Sequence, residues 1–413
     1  MQVFIAALAL LFIFAVILLL LRYRIHLGIS ILIGTALLYI VFYIPPVDMA
    51  RSIYDSITDW MTIRLLLLVF LVVFMSRLMS ITGNLDDMVS SLKGLFNDRR
   101  WSIATISSLI GLLPMPAGAL VSGHMINSTA DELQMSAEDR TAVNYWFRHI
   151  WEYSWPFYQG IILSAATLAV SVAYIVSIQF PLTLLAVIVG ILFFLLPIKR
   201  HPEDKKGRKR EWNALLRFTA SIWPIILVIA LVLFASIDLL WSLLLVVALM
   251  IVVYRPRFSE CRDVMKKSGI AKILLILLAV MLFKGALTDT GAVYALPNAL
   301  NSLNISPVFL VIAVPFIVGF MSGITVAFVG ISYPILLPVL KTTTGIDPGL
   351  TMLAFAAGFA GTLLSPMHLC LVLSAEYFKA DLSRVLRRLY LPVGLVLGGA
   401  FLLYMVIDGL ILF

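Results

Sequence analysis

The stretch GLLPMPAGALVSGHM, residues 111–125, sets two prolines and three glycines inside a long apolar run. Proline removes a backbone donor and glycine permits tight turns. In hydrocarbon no water satisfies the freed backbone groups, so such a break persists only where protein or a water-filled cavity meets it. Reading this stretch as a turn at membrane depth, and not as a surface loop, decides the fold.

The surroundings require that reading. The chain has 413 residues, 62% hydrophobic and 13% charged, with a mean hydropathy of +1.05. A soluble domain carries about a quarter charged residues. Runs of about 20 apolar residues recur from end to end, which predicts an all-α polytopic membrane protein. The apolar-polar alternation of a membrane β-barrel is absent. The first run, residues 2–21, has no basic leader, is too long for a signal core and ends in RYR, so it reads as a membrane helix with its N-terminus outside. The net charge of +8 sits in a few loops and reports orientation, not nucleic-acid binding. Two cysteines, Cys261 and Cys370, make no disulfide framework.

The basic linker KRHPEDKKGRKREW, from residue 199, divides the chain into similar halves. At an offset of 208, residues 64–111 run without gaps against 272–319. Arg64 meets Lys272, the pair Thr82-Gly83 meets Thr290-Gly291, Gly111 meets Gly319, and Ala119 and Val121 meet Ala327 and Val329. At an offset of 210, WPFYQGIILSA (155–165) lies against SPMHLCLVLSA (365–375). Equivalent loops carry opposite charge character. RYRIH is basic, whereas the Ser236-Ile237-Asp238 turn has no base; residues 45–60 carry one arginine and three aspartates, whereas 255–267 carry five basic residues. The halves therefore read as inverted repeats.

The expected organisation is a first repeat at 1–198, a linker at 199–213 and a second repeat at 214–413. The crossings are 2–21, 27–44, 61–80, 142–169 and 176–198, then 214–235, 238–254, 272–290, 351–378 and 389–412. Segments 101–129 and 307–340 enter and return as re-entrant hairpins. Both chain termini then lie outside, and the basic KADLSRVLRR (379–388) falls inside, as the charge rule asks.

Four interruptions fall at repeat-equivalent places, two as hairpin tips and two as breaks in the crossings 142–169 and 351–378. In inverted-repeat transporters such breaks meet near the bilayer midplane, where half-helix N-termini face an anion. The candidate substrate- or ion-binding residues are Pro114, Met115, Pro116, Ala117 and Gly118 in the first tip, and Ser322, Gly323, Ile324 and Thr325 in the second. The breaks add Trp155, Pro156, Tyr158 and Gln159, then Ser365, Pro366 and His368. Glu152, with His149 one turn before it, is the candidate carrier of a coupling proton. An interfacial position for Arg148, His149 and Glu152 is the competing account, since Trp and Tyr also concentrate at interfaces.

LLPMPAG, GFMSGITVAF and GTLLSPMHLCLVLSAEYF resemble an uncharacterised prokaryotic integral-membrane family of unknown function. The architecture resembles the ion transporter superfamily, which includes divalent anion–sodium symporters, gluconate, citrate and lactate permeases, and arsenite permeases. The resemblance implies a scaffold domain, a transport domain that carries substrate by an elevator-like movement, and a homodimer. The divalent anion symporters have Ser-Asn-Thr at both tips. Here the second tip keeps only the hydroxyls of Ser322 and Thr325, and the first offers backbone alone.

Arg77 and Lys284 read as cations snorkelling to the interface, with anion attraction as the lesser account, and Arg64 as an interface anchor. Met115, Met367, His124, His368 and Cys370 hint at a soft-metal path, but no paired ligand spacing occurs and methionine is common core filler. No metal or cofactor is expected beyond Na⁺ or H⁺ as coupling ion. No HExxH, GxSxG or nucleotide-binding loop is present, so an enzyme is not expected. The expected function is a secondary active transporter for a small organic anion, with export of an inorganic anion or metalloid as the alternative.

Overall fold

The computed structural model describes residues 2–92, 98–113, 118–201, 212–294, 298–299, 302, 306–342 and 345–411. In chain order the helices are α1 (Gln2–Arg22), α2 (Leu27–Val41), α3 (Pro46–Thr58), α4 (Trp60–Ile81), α5 (Asn84–Leu92), α6 (Arg99–Gly111) and α7 (Gly118–Glu132). Then come α8 (Ala137–His149), α9 (Gln159–Leu168), α10 (Val172–Gly190), α11 (Trp212–Ser221), α12 (Trp223–Leu233), α13 (Leu239–Tyr254), α14 (Phe258–Lys267) and α15 (Ile270–Asp289). The last five are α16 (Pro307–Ser322), α17 (Thr325–Leu340), α18 (Pro348–Leu364), α19 (Leu369–Phe378) and α20 (Leu382–Ile411). A two-residue antiparallel pair, Lys341–Thr342 with Gly345–Ile346, closes the turn after α17.

Among the described residues, six segments are long and apolar enough to cross a membrane: Phe4–Arg22, Trp60–Ile81, Val172–Leu195, Ile270–Asp289, Pro348–Phe378 and Leu382–Asp408. The chain is a helical membrane protein by length and composition. At about 1.5 Å per residue, some 20 residues match a 30 Å hydrocarbon layer.

Helix ends follow local chemistry. Asp59 accepts the Thr62 amide at 3.3 Å to start α4, and Asp238 accepts the Leu240 amide at 3.0 Å to start α13. The two aspartates sit on one side of the molecule, where Asp238 also pairs with Arg64. Arg64 is thus held by an ion pair. Two stretches read as loops are helical. In α3, Pro46 opens the helix and Asp48 sits in its first turn; in α14, Lys266 and Lys267 occupy the last turn. The crossing expected at 214–235 is divided at Ile222, because Pro224 lacks the donor that would continue α11.

The interior is built on α16, α17 and α18. Every residue of α18 from Thr351 to Leu363 is buried. A Cβ on Gly319 would stand 2.1 Å from the Gly358 carbonyl oxygen, and one on Gly361 would stand 2.2 Å from that of Phe316. Small residues let these two backbones touch, as in other membrane helix pairs. On the other flank, α6 and α7 run antiparallel: Arg99 Nε at the start of α6 donates to Glu132 Oε2 at the end of α7, at 2.5 Å. Buried Asn144 of α8 locks the cluster. It receives the Ser107 hydroxyl of α6 at 3.1 Å, and its amide donates to Ala119 O of α7 at 3.0 Å and to Ser374 Oγ of α19 at 3.1 Å.

Candidate functional site

Two long segments break inside this packed region. The first leaves the α-helix at His149, makes one 3₁₀ turn (Ile150–Tyr153) and resumes as α9 at Gln159. The break begins earlier than the residue pattern indicated, and Gln159 and Gly160 are already helical. The second leaves at Leu364 and resumes at Leu369, with Ser365, Pro366, Met367 and His368 between. Between α16 and α17 the chain reverses through Gly323, whose φ of +64° is the left-handed conformation that glycine accepts without strain.

These features press against one another. A Cβ on Gly323 would stand 2.8 Å from the His368 amide nitrogen, so the turn abuts the second break. A Cβ on Gly160 would stand 2.5 Å from Thr325 Cγ2, so the start of α9 abuts the start of α17. A Cβ on Gly111 would stand 2.2 Å from the Arg148 carbonyl oxygen, seating the end of α6 on the first break. Tyr158 ties the same break to α6 by donating to Gly111 O. Tyr145 donates to Leu363 O at 3.1 Å and so joins α8 to the second break.

A pocket of about 280 Å³ opens where they meet. The first two residues of α9 (Gln159, Gly160), α17 (Thr325, Val326) and α19 (Leu369, Cys370) all line it. None of the three helices has a side-chain N-cap hydrogen bond. First-turn N–H groups have no partner within the helix, and the helix dipole adds partial positive charge. Arg148, Glu152 and His368 join the lining, and Arg77 closes it from α4.

The charged residues are buried within the protein. Arg148 is 4% exposed, His149 1%, Glu152 8% and His368 6%. Thr325 Oγ1 donates to Glu152 Oε2 at 2.9 Å, and Glu152 Oε1 lies 3.7 Å from His149 Nε2. His149 Nδ1 donates to Tyr145 O at 2.5 Å, since a carbonyl only accepts. Its Nε2 is then an acceptor, and it faces His368 Nε2 at 3.1 Å. Arg148 Nη1 donates to Cys370 Sγ at 3.1 Å.

The candidates from the sequence divide clearly. Tyr158, Gln159, Gly323, Ile324, Thr325, Glu152 and His368 line the pocket, and His149 sits directly behind it. Trp155, Pro156, Ser322, Ser365 and Pro366 do not line it. The Ser322 hydroxyl turns back to Val318 O at 2.7 Å, and the Ser365 hydroxyl accepts the Met367 amide at 3.2 Å. Gly118 is a buried residue of α7 outside the lining. Pro114, Met115, Pro116 and Ala117 lie outside the described residues. Arg77, expected to snorkel with anion attraction as the lesser account, is among the residues that line the pocket. Lys284 Nζ donates to Ala166 O at 3.2 Å, in the last turn of α9, where a cation is favoured. Sequence reasoning did not single out Gly160, and it met Cys370 only in the discounted soft-metal path, although both line the pocket and stand inside the repeat-aligned stretches.

Comparison with known families gives one result. The family model described as "Protein of unknown function (DUF401)" matches residues 4–407. The chain belongs to that family. No curated protein matches this DUF401 member.

Proposed function

We propose that this chain is a secondary active transporter that moves a small organic anion across the membrane by an elevator-like alternating-access movement, coupled to H⁺ or Na⁺. The observation that carries this reading is the convergence of three helix N-termini without side-chain caps, together with buried Arg148, on one pocket. Such an arrangement binds negative charge through backbone N–H groups and a guanidinium fork. A volume of about 280 Å³ suits a molecule of a few heavy atoms. Glu152 supplies the carboxylate that a coupling cation meets beside the anion.

Support for two inverted repeats, each with a re-entrant hairpin, comes from matched details. Gly83 and Gly291, 208 residues apart, have φ of +79° and +67°. Ala169 and Lys379, 210 apart, end α9 and α19 with φ of +58° and +56°. The Arg99–Glu132 contact joins the two ends of the first hairpin on one side. In this reading the protein is a homodimer in a prokaryotic cytoplasmic membrane with both termini outside, related to the ion transporter superfamily. Cys370 in the lining favours export of a thiophilic metalloid anion as the second reading.

The test is uptake of labelled small carboxylates into proteoliposomes. Saturable, gradient-dependent uptake that falls at least tenfold in Arg148→Met is expected. Uptake unchanged after collapsing both the H⁺ and Na⁺ gradients would remove the coupled mechanism, and competition by arsenite but by no carboxylate would favour the second reading.

A further inference from the structure

The wall of the pocket brings together three metal-type donors that lie far apart in sequence. One ring nitrogen each from His149 and His368, and Cys370 Sγ, all lie within 4.8 Å of one another. They come from the two opposed breaks: His149 closes α8, His368 precedes α19 and Cys370 is the second residue of α19. We propose that His149, His368 and Cys370 bind a single Zn²⁺-class transition-metal ion at the inner wall of the pocket. This inference goes beyond the transport reading and does not rest on it.

The donor set is suited to such an ion. Nitrogen and thiolate ligands select borderline and soft metals over Mg²⁺ or Ca²⁺. Two nitrogens each about 2.0–2.1 Å from a tetrahedral Zn²⁺ stand about 3.3 Å apart; His149 Nε2 and His368 Nε2 already stand 3.1 Å apart. His149 is oriented as metal-ligating histidines are, with Nδ1–H given to a backbone carbonyl and Nε2 presented inward. The pair is also incomplete without a ligand. With the His149 proton on Nδ1, His368 donates its Nε2–H across the gap, and His368 Nδ1 is left buried with no hydrogen-bond partner among the described residues. Buried polar atoms are seldom left so.

The neighbours support loading. Arg148 Nη1–H donates to Cys370 Sγ at 3.1 Å, and that contact persists when the sulfur is a metal-bound thiolate. Binding displaces the thiol proton to solvent and moves the His368 proton from Nε2 to Nδ1. No electron is transferred. Three protein ligands leave a fourth position on the pocket side, because His368 and Cys370 both line the pocket. Glu152 Oε1, 3.7 Å from His149 Nε2, stands at the edge of that position.

The experiment uses the full chain, purified in detergent and stripped with a chelator. Zn²⁺ titration of wild type is expected to give one site per chain, weakened at least tenfold in Cys370→Ser and in His368→Ala but unchanged in Cys261→Ser. Co²⁺ loading of wild type is expected to show a thiolate-to-cobalt charge-transfer band, a readout that needs no variant to fold. Absence of a stoichiometric Zn²⁺ site, a Co²⁺ adduct without the thiolate band, or Cys370→Ser that is folded and binds like wild type would each overturn the proposal. Transport plays no part in the readout, so a failure here is distinct from a failure of the transport reading.

Discussion

Gly160→Ala tests the contact on which the pocket depends. The new methyl would stand 2.5 Å from Thr325 Cγ2, whereas carbon atoms pack at about 3.5–4.0 Å. Relief needs a displacement of about 1 Å. Thr325 cannot simply turn aside, because its χ1 is stiff and rotation would carry Oγ1 away from Glu152, which it now meets at 2.9 Å. Overpacking costs about 1–3 kcal/mol, and a lost hydrogen bond to a carboxylate about 1.5–3 kcal/mol. The two overlap, since relieving one incurs the other, so the expected net loss is about 2–3 kcal/mol. That corresponds to about 30- to 150-fold in the unfolding equilibrium constant. Chemical unfolding in detergent measures it, with two companions. Thr325→Ser removes Cγ2 and keeps the hydroxyl, so the double variant Gly160→Ala/Thr325→Ser should recover at least about 1 kcal/mol of coupling energy. Gly394→Ala, where a Cβ meets nothing within 4 Å, should be neutral or gain up to about 1 kcal/mol from helix propensity. If Gly160→Ala behaves like Gly394→Ala, or Thr325→Ser gives no recovery, the close seating of α9 on α17 is refuted.

Asn144→Leu removes the partner of the Ser107 and Ser374 hydroxyls and one donor to the Ala119 carbonyl, and should cost about 2–4 kcal/mol in the same unfolding assay; Ser107→Ala made alone should cost less. Asp98 caps α6 and holds Arg100 at 2.7 Å, so Asp98→Ala should cost about 1 kcal/mol. The Arg100 hydrogen bond, with Arg200 nearby, holds the Asp98 carboxyl below the usual carboxylate range. Its contribution is therefore full above the unfolded-state value and is lost as pH falls through the lower folded value. Asp98→Asn should flatten that acid limb, and an unchanged pH profile would deny the pair its role. Asp55→Cys and Lys266→Cys, both exposed, should label from opposite sides in oriented vesicles, and labelling from one side would refute the inverted topology.

How far the residues spoke for themselves differs from place to place. The turn at Gly323 and the break before Leu369 were legible because glycine and proline act locally, through φ and the missing donor. Loop charge predicted sidedness for the same reason: it acts on each loop separately. Helices α3 and α14 were read as loops because their polar composition hid short helices that begin at Pro46 and end at Lys267. The division at Ile222 went unread because Pro224 opens a long apolar run that reads as one continuous crossing.

Composition by itself determined that the chain is helical and suited to a membrane, since an apolar backbone in lipid must satisfy its own hydrogen bonds. The turn at Gly323 and the break before Leu369 were also written in its glycines and prolines. Only the tertiary structure decided that Arg148, His149 and Glu152 are interior, that Arg77 reaches the same pocket, and that His149 meets His368 and Cys370. The reason is physical. When nearly every helix face is apolar, periodicity no longer separates a face against protein from a face against lipid. A contact across 219 residues depends on how whole helices cross, and so on packing that no local pattern encodes.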